Sequence, residues 1–199
     1  MNLDALTSFK DEVVRKFEDA SFISTFMAED MGGVKEVWAK GPAKSPIPYE
    51  LELAGVTPCK LLTKEPAIKK NAYRYLYDDS ARVKRVDIYS ARGEPYEVEH
   101  YIYEGCRLYA LKTNRHGENL WLKAVEYDQG QISRACRVDM DSEFWSFQYE
   151  WNEKSIQEIL TFSSNSVPGV KIYPEYRKDL LVSLYFMRGE ERIYIYKVD

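Results

Sequence analysis

Residues 125–132 read Val125-Glu126-Tyr127-Asp128-Gln129-Gly130-Gln131-Ile132, and this stretch decides the fold. Two side chains of one face lie two positions apart, a polar turn carrying Gly follows, and an apolar residue comes five positions after the Tyr. That is the pattern of a strand reversing into a second strand. The same arrangement recurs on both sides. Tyr75 and Tyr77 precede Asp78-Asp79-Ser80, Tyr101 and Tyr103 precede Glu104-Gly105, and Tyr149 and Trp151 precede Asn152-Glu153-Lys154. The anchors Tyr77, Tyr103, Tyr127 and Trp151 stand 26, 24 and 24 residues apart. Five residues beyond the last three come Leu108, Ile132 and Ile156, and Val83 comes six beyond the first. A second turn closes the copies at Arg92-Gly93-Glu94, His116-Gly117-Glu118 and Asp141-Ser142-Glu143.

Four copies in near-constant register make an internal repeat whose unit is a hairpin. A lone hairpin is marginal in water, so the copies must join edge to edge into one twisted sheet. Strict alternation elsewhere agrees. Trp145, Phe147, Tyr149 and Trp151 alternate with Ser146, Gln148 and Glu150, and Tyr194 and Tyr196 alternate with Ile193 and Ile195. The expected fold is mainly β (α+β): an N-terminal helix packed on a long antiparallel meander of about 8–11 strands. One sheet face is expected under the helix, the other wet and Tyr-rich.

The flanks differ in character. Leu3, Leu6, Phe9, Val13 and Phe17 share one face of a helix predicted over residues 3–19, a face that Phe22, Ile23, Phe26 and Met27 continue toward Gly32-Gly33. Between residues 41 and 70, Pro42, Pro46, Pro48, Pro58 and Pro66 interrupt every pattern and leave one short strand, Tyr49 to Leu53. The chain therefore divides into a helix and Pro-rich connector over 1–70 and a sheet over 71–199. After Phe162 the register breaks at a loop over 163–169, and a closing hairpin forms around Arg188-Gly189-Glu190.

Composition narrows the function. Of 28 aromatic residues 22 lie after residue 71, which suits a sheet whose rings pack while their hydroxyls reach water. A net charge of −4 excludes a general nucleic-acid binder, which needs a basic surface. Cys59, Cys106 and Cys136 are too widely spaced for a zinc site and are expected to be reduced and mostly buried. No run approaches the ~20 apolar residues of a membrane span, and no apolar signal segment follows Met1-Asn2-Leu3-Asp4, so the cytoplasm is the expected location.

The turn-and-strand pattern resembles the YD repeats of Rhs and teneurin-type proteins, from Ala72 to about Phe162, with Tyr127-Asp128-Gln129-Gly130-Gln131-Ile132 as the best local match. Gly is missing from the first and fourth turns, and Trp151-Asn152 stands where Tyr-Asp is expected. Large members of that family build shells around toxic cargo. A chain this short is more similar to the small sheet proteins that accompany polymorphic bacterial toxins as immunity proteins. The resemblance implies a cytosolic protein that plugs a toxin's active site by protein–protein contact.

Catalytic chemistry finds no support in the motifs. The two histidines, His100 in a strand and His116 in a turn, have no neighbouring triad or metal pattern, and Asp78-Asp79 and Asp139/Asp141 read as turn chemistry. No catalytic residue, metal ligand or cofactor is assigned. The candidate partner-binding patch combines Asp139, Asp141, Glu143, Glu150 and Glu153 with Trp145, Tyr149 and Trp151. Acids around aromatic anchors suit a basic, nuclease-like toxin. The alternative is a carbohydrate- or peptide-binding module using the aromatic face. Monomer and small homo-oligomer are both left open.

Overall fold

The computed structural model describes residues 2–28, 35–166 and 168–198. Two helices, α1 (Leu3–Glu18) and α2 (Ala20–Ala28), are followed by β1 (Lys35–Ala39), α3 (Glu50–Leu53) and the two-residue β2 (Leu61–Leu62). Then come β3 (Tyr73–Tyr77), β4 (Val83–Tyr89), β5 (Pro95–Glu104), β6 (Arg107–Asn114), β7 (Asn119–Asp128) and β8 (Gln131–Asp139). The chain closes with β9 (Phe144–Asn152), β10 (Ser155–Ser163), β11 (Val170–Arg177), β12 (Leu180–Arg188) and β13 (Glu191–Lys197). All thirteen strands form one sheet, a meander in which β13 to β3 follow in sequence order and β1 and β2 complete the far edge. The expected antiparallel meander is therefore present. Because β1 pairs with β3, the sheet also takes in residues assigned from sequence to the helix-and-connector part.

The repeat appears as cross-strand pairs. Each anchor faces the residue the spacing singled out: Tyr77 faces Val83, Tyr103 faces Leu108, Tyr127 faces Ile132 and Trp151 faces Ile156. The period does not stop at Phe162. Tyr176 lies 25 residues after Trp151 and faces Leu181, five residues on. Successive copies are also stitched together. Tyr103 donates its hydroxyl to Val83 O (3.0 Å), Trp151 its indole N–H to Ile132 O (2.7 Å), and Tyr176 its hydroxyl to Ile156 O (2.9 Å). Each acceptor is the residue that faces the preceding anchor.

The wider turns share one construction. Asp78, Ser90, Asn114 and Asp139 each accept, on a side-chain oxygen, the N–H groups two and four residues ahead. The residue three ahead takes the left-handed conformation: Ala81, Gly93, Gly117 and Ser142. The carboxylates of Asp78 and Asp139 thus satisfy turn backbone, as the sequence implied.

On one sheet face α1 and α2 cover β5 to β10. Phe9 and Val13 of α1 and Phe22 and Phe26 of α2 pack on Ile102, Tyr109, Leu111, Leu122, Ala124, Cys136 and Val138. The apolar face predicted as continuous is broken at Asp19, whose carboxylate accepts the Ser21 N–H (2.9 Å) and so caps a second helix. Gly32-Gly33 lies outside the described residues.

The opposite face departs from expectation. It is not wet over most of its width, because the Pro-rich connector lies on it: Ala43, Ile47, Tyr49, Leu53 and Cys59 join a cluster running from Tyr75 to Leu184. The strand expected at Tyr49 to Leu53 is instead the single turn α3. Two Leu and two Glu in four residues fit either period, and both are strong helix formers. Tyr75 of β3 accepts the Ala43 N–H (2.8 Å), while the Tyr49 hydroxyl meets that of Tyr176 in β11 (2.8 Å). Six residues of chain reach at most about 21 Å, and eight strand spacings in a flat sheet take about 38 Å. Strand side chains stand nearly perpendicular to the sheet and close little of that gap. The sheet coils around its own connector.

Candidate functional site

Beneath the connector lies a buried charge cluster that no sequence motif announced. Lys123 projects from β7 toward the connector, where its ammonium meets Glu50 (2.8 Å) and Glu99 (3.2 Å). Arg137 meets the other Glu50 oxygen (3.3 Å), and Ser45 donates to the same carboxylate. Glu99 also accepts from the Tyr101 hydroxyl (3.0 Å) and the Trp121 indole (3.4 Å). Burial works to depress the Lys123 ammonium, but Glu99 and Glu50 together outweigh it and hold it above its ordinary value. Burial likewise works to raise Glu50, and Lys123, Ser45 and Arg137 outweigh it, leaving the carboxyl below its usual range. The guanidinium of Arg137 lies 4.1 Å from the Trp145 ring centre and 5.2 Å from that of Trp121. Its Nε–H is buried with no hydrogen-bond partner among the described residues, beside a cleft of about 250 Å³ lined by Glu50, Leu53, Ala54, Trp145 and Phe147. Chemically this cluster is a closed ionic lock that seats α3 on the sheet. Its carboxylates and cations neutralise one another.

The patch proposed from sequence is not one surface. Asp139, Asp141 and Glu143 sit at the β8–β9 turn, and Glu153 sits at the β9–β10 turn. The nine residues of β9 separate the two by roughly 30 Å. Asp139 is occupied with the turn, and Glu143 accepts from Asn165 (2.9 Å). Tyr149 is buried, with its hydroxyl on Pro48 O (3.3 Å). Trp145 is half-buried on Arg137, and Trp151 is half-buried and bonded to Ile132. Glu150 is exposed but points to the helix side, opposite Tyr149 and Trp151. Alternation makes that outcome unavoidable: neighbours along a strand face opposite ways.

A partly exposed aromatic surface exists elsewhere, where Tyr194 is exposed and Tyr173 and Tyr185 are half-buried. Beyond β10 no helix among the described residues packs on the outer sheet face, and there Tyr173, Tyr185 and Tyr194 form a ladder across β11, β12 and β13. Their ring centres are 5.6 and 5.8 Å apart. Arg192 stacks on Tyr185 (4.8 Å) and Lys197 on Tyr194 (4.9 Å). Arg192 is also paired with Glu175 (2.6 Å), and Lys171 with Glu158 (2.9 Å). Met187 and Tyr194 are exposed large apolar side chains of this hairpin, and Leu180 and Val198 flank it. The signal that could have located this region is the fifth copy of the repeat, anchored by Tyr176.

Other candidate chemistry is scattered. His116 is exposed in its turn and accepts from Arg115 Nε (3.0 Å), while His100 lies half-buried in β5. Of the cysteines, Cys136 is buried, with its thiol pushed up to about 12 by burial. Cys59 is half-buried, and Cys106 is exposed, contrary to the expectation of mostly buried thiols. Among the described residues no group of three His, Cys, Asp or Glu side chains is placed to hold a metal ion, and no helix is long and apolar enough to cross a membrane. No family model, curated protein or solved structure matches this chain.

Proposed function

We propose that this chain is a non-catalytic protein-binding protein, an immunity protein that neutralises a cognate bacterial toxin in the cytoplasm by covering its active site. The observation that supports the binding part is the tyrosine ladder of half-buried Tyr173 and Tyr185 and exposed Tyr194, which the described helices leave uncovered. Aromatic side chains held rigidly by strands, with arginine beside them, are the usual energetic centre of a protein interface. The toxin assignment rests on the repeat's resemblance to YD-repeat sheets. A net charge of −4 favours a basic partner through steering.

The alternative, a carbohydrate-binding face, would use the same ladder. Neighbouring rings are tilted by 33° and 53°, however, which breaks up the flat platform that sugar rings stack on. This favours the protein partner.

Co-expression with the toxin encoded beside this chain, scored as rescue of growth, tests the reading. Wild type is expected to protect. The double variant Tyr173→Ala/Tyr185→Ala is expected to lose protection while keeping its sheet signal in circular dichroism. Absence of protection by wild type would overturn the immunity role, and full protection by the variant would remove the ladder from it.

A further inference from the structure

The sheet is not seamed evenly. Among the described residues β10 and β11 pair only over 159–161 against 170–172. By contrast β9 meets β10 over 145–152, and β11 meets β12 over 172–177. Past Ile172 the sequence itself lets the two strands separate. Register shifts fall at Ile156/Glu158 in β10 and at Glu175/Tyr176 in β11, and such bulges bend a strand and end its pairing. Pro174 lies just short of the second shift. It has no N–H to give, and proline belongs to sheet edges and bulges, not to a strand paired along both sides. Toward β10, the later part of β11 is therefore an edge inside the sheet.

Tyr176 bridges this open part. Its hydroxyl donates to Ile156 O of β10 (2.9 Å) and meets that of Tyr49, the residue preceding α3 (2.8 Å). Beyond the seam the three strands hold one another. Pairing runs along β11–β12 and β12–β13, the tyrosine ladder crosses all three, and Glu175 of β11 binds both Ser183 of β12 and Arg192 of β13. This three-stranded leaf closes over the connector: Ile172 and Leu184 are buried in one cluster with Ile47, and α3 touches β13. The connector is anchored elsewhere, through Glu50 to Lys123 of β7 and Arg137 of β8. On the outer face α1 and α2 pack on β5 to β10.

We infer that β11–β13 is a lid that opens as one unit about the short β10–β11 seam, leaving α3 seated on β7 and β8 and the rest of the sheet intact. Tyr176 is its latch, and the apolar side chains of its inner face hold it shut. Opening bares Ile172 and Leu184, while the ladder stays assembled because Tyr173, Tyr185 and Tyr194 all ride on the lid. The inference does not rest on the toxin-binding reading.

Amide hydrogen exchange of the purified chain, under conditions where rates report opening equilibria, tests it. β7 and β12 are each paired on both sides, so a sheet that opened only as a whole would protect them alike. The expected result is exchange in β12 at least about tenfold faster than in β7. Tyr103→Phe removes a bond of the main sheet that the opening leaves untouched. It is expected to speed exchange in β7 about fivefold and to leave β12 unchanged. Tyr176→Phe cuts the latch and is expected to speed β12 by about tenfold or more. Equal protection of β7 and β12 in the wild type, a Tyr103→Phe protein in which both strands speed up alike, or a Tyr176→Phe protein with β12 unchanged would overturn the inference.

Discussion

Trp151 donates its indole N–H to the carbonyl oxygen of Ile132 at 2.7 Å, and Ile132 is the residue that faces Tyr127, the anchor one repeat earlier. The bond ties this hairpin to its predecessor by something more specific than the strand ladder. Tyr103 and Tyr176 make the same link with hydroxyls.

Removing one such link should cost about 1 kcal/mol, the net worth of a neutral hydrogen bond. Tyr103→Phe deletes only the hydroxyl that reaches Val83. Tyr176→Phe deletes two bonds, to Ile156 and to Tyr49, and should cost about 2 kcal/mol. Tyr96→Phe, on an exposed ring, serves as the neutral control. Urea denaturation reads all three. Equal midpoints for wild type and Tyr176→Phe would show that these links add nothing.

Breaking the ionic lock should be far more damaging. Lys123→Met leaves Glu99 without its cation and Glu50 with Arg137 alone in a buried site, and loss of one partner from a buried pair costs about 3–5 kcal/mol. Adding Glu50→Gln should recover part of that loss, giving a coupling of about 1 kcal/mol or more in a double-mutant cycle. Strict additivity would mean that the two side chains do not sense each other.

Acid should release the same lock. The folded Glu50 carboxyl lies below its ordinary value of 4.5, so the unfolded chain takes up the proton first. Its contribution is present above about pH 4.5 and is lost as pH falls toward the folded value. Stability should therefore drop below that pH, less steeply in Glu50→Gln. Parallel pH profiles for the two proteins would contradict this.

Alkali should act through the tyrosines. Burial raises Tyr101, with Glu99 adding to it, and Tyr149 well above 10, and pushes Tyr75 and Tyr103 up to about 12. The unfolded chain ionises first, so stability is intact below about pH 10 and declines as pH climbs toward the folded values. Phenolate absorbance should rise in two stages, exposed rings first and buried ones together with loss of the sheet signal. A single smooth titration with the sheet intact would show that the rings meet water.

The turn at Asp139 offers a stabilising change. Ser142 holds a φ of 62°, where Gly93 and Gly117 occupy the equivalent place. Ser142→Gly should gain up to about 1 kcal/mol by removing a strained Cβ. Asp139→Ala should lose about 1 kcal/mol, because two N–H groups lose their acceptor. Thermal melts measure both.

The meander could be read in advance because each link in it is local: alternation fixes the strands, and a turn every dozen residues fixes their order. The fifth copy escaped because its turn, Lys178-Asp179, carries no Gly and Pro174 interrupts the strand before it. The connector escaped for a different reason. Its contacts, such as Pro48 with Tyr149 and Glu50 with Lys123, join residues far apart in a segment that has no periodicity of its own. Lys123 sits where alternation calls for a polar face, and nothing local tells a wet lysine from one under an acidic cover. The candidate patch is divided by the same rule that revealed the sheet, since Glu150 and Trp151 are adjacent in sequence and opposed in space.

The coil of the sheet around residues 43–53 makes the connector a spacer, as a bobbin is to the cloth wound on it. Ala43, Ile47, Tyr49 and Leu53 share one cluster with strands from β3 to β12, so a change in their bulk would press on many hairpins at once, whereas a change in an exposed turn between two strands would touch that hairpin alone.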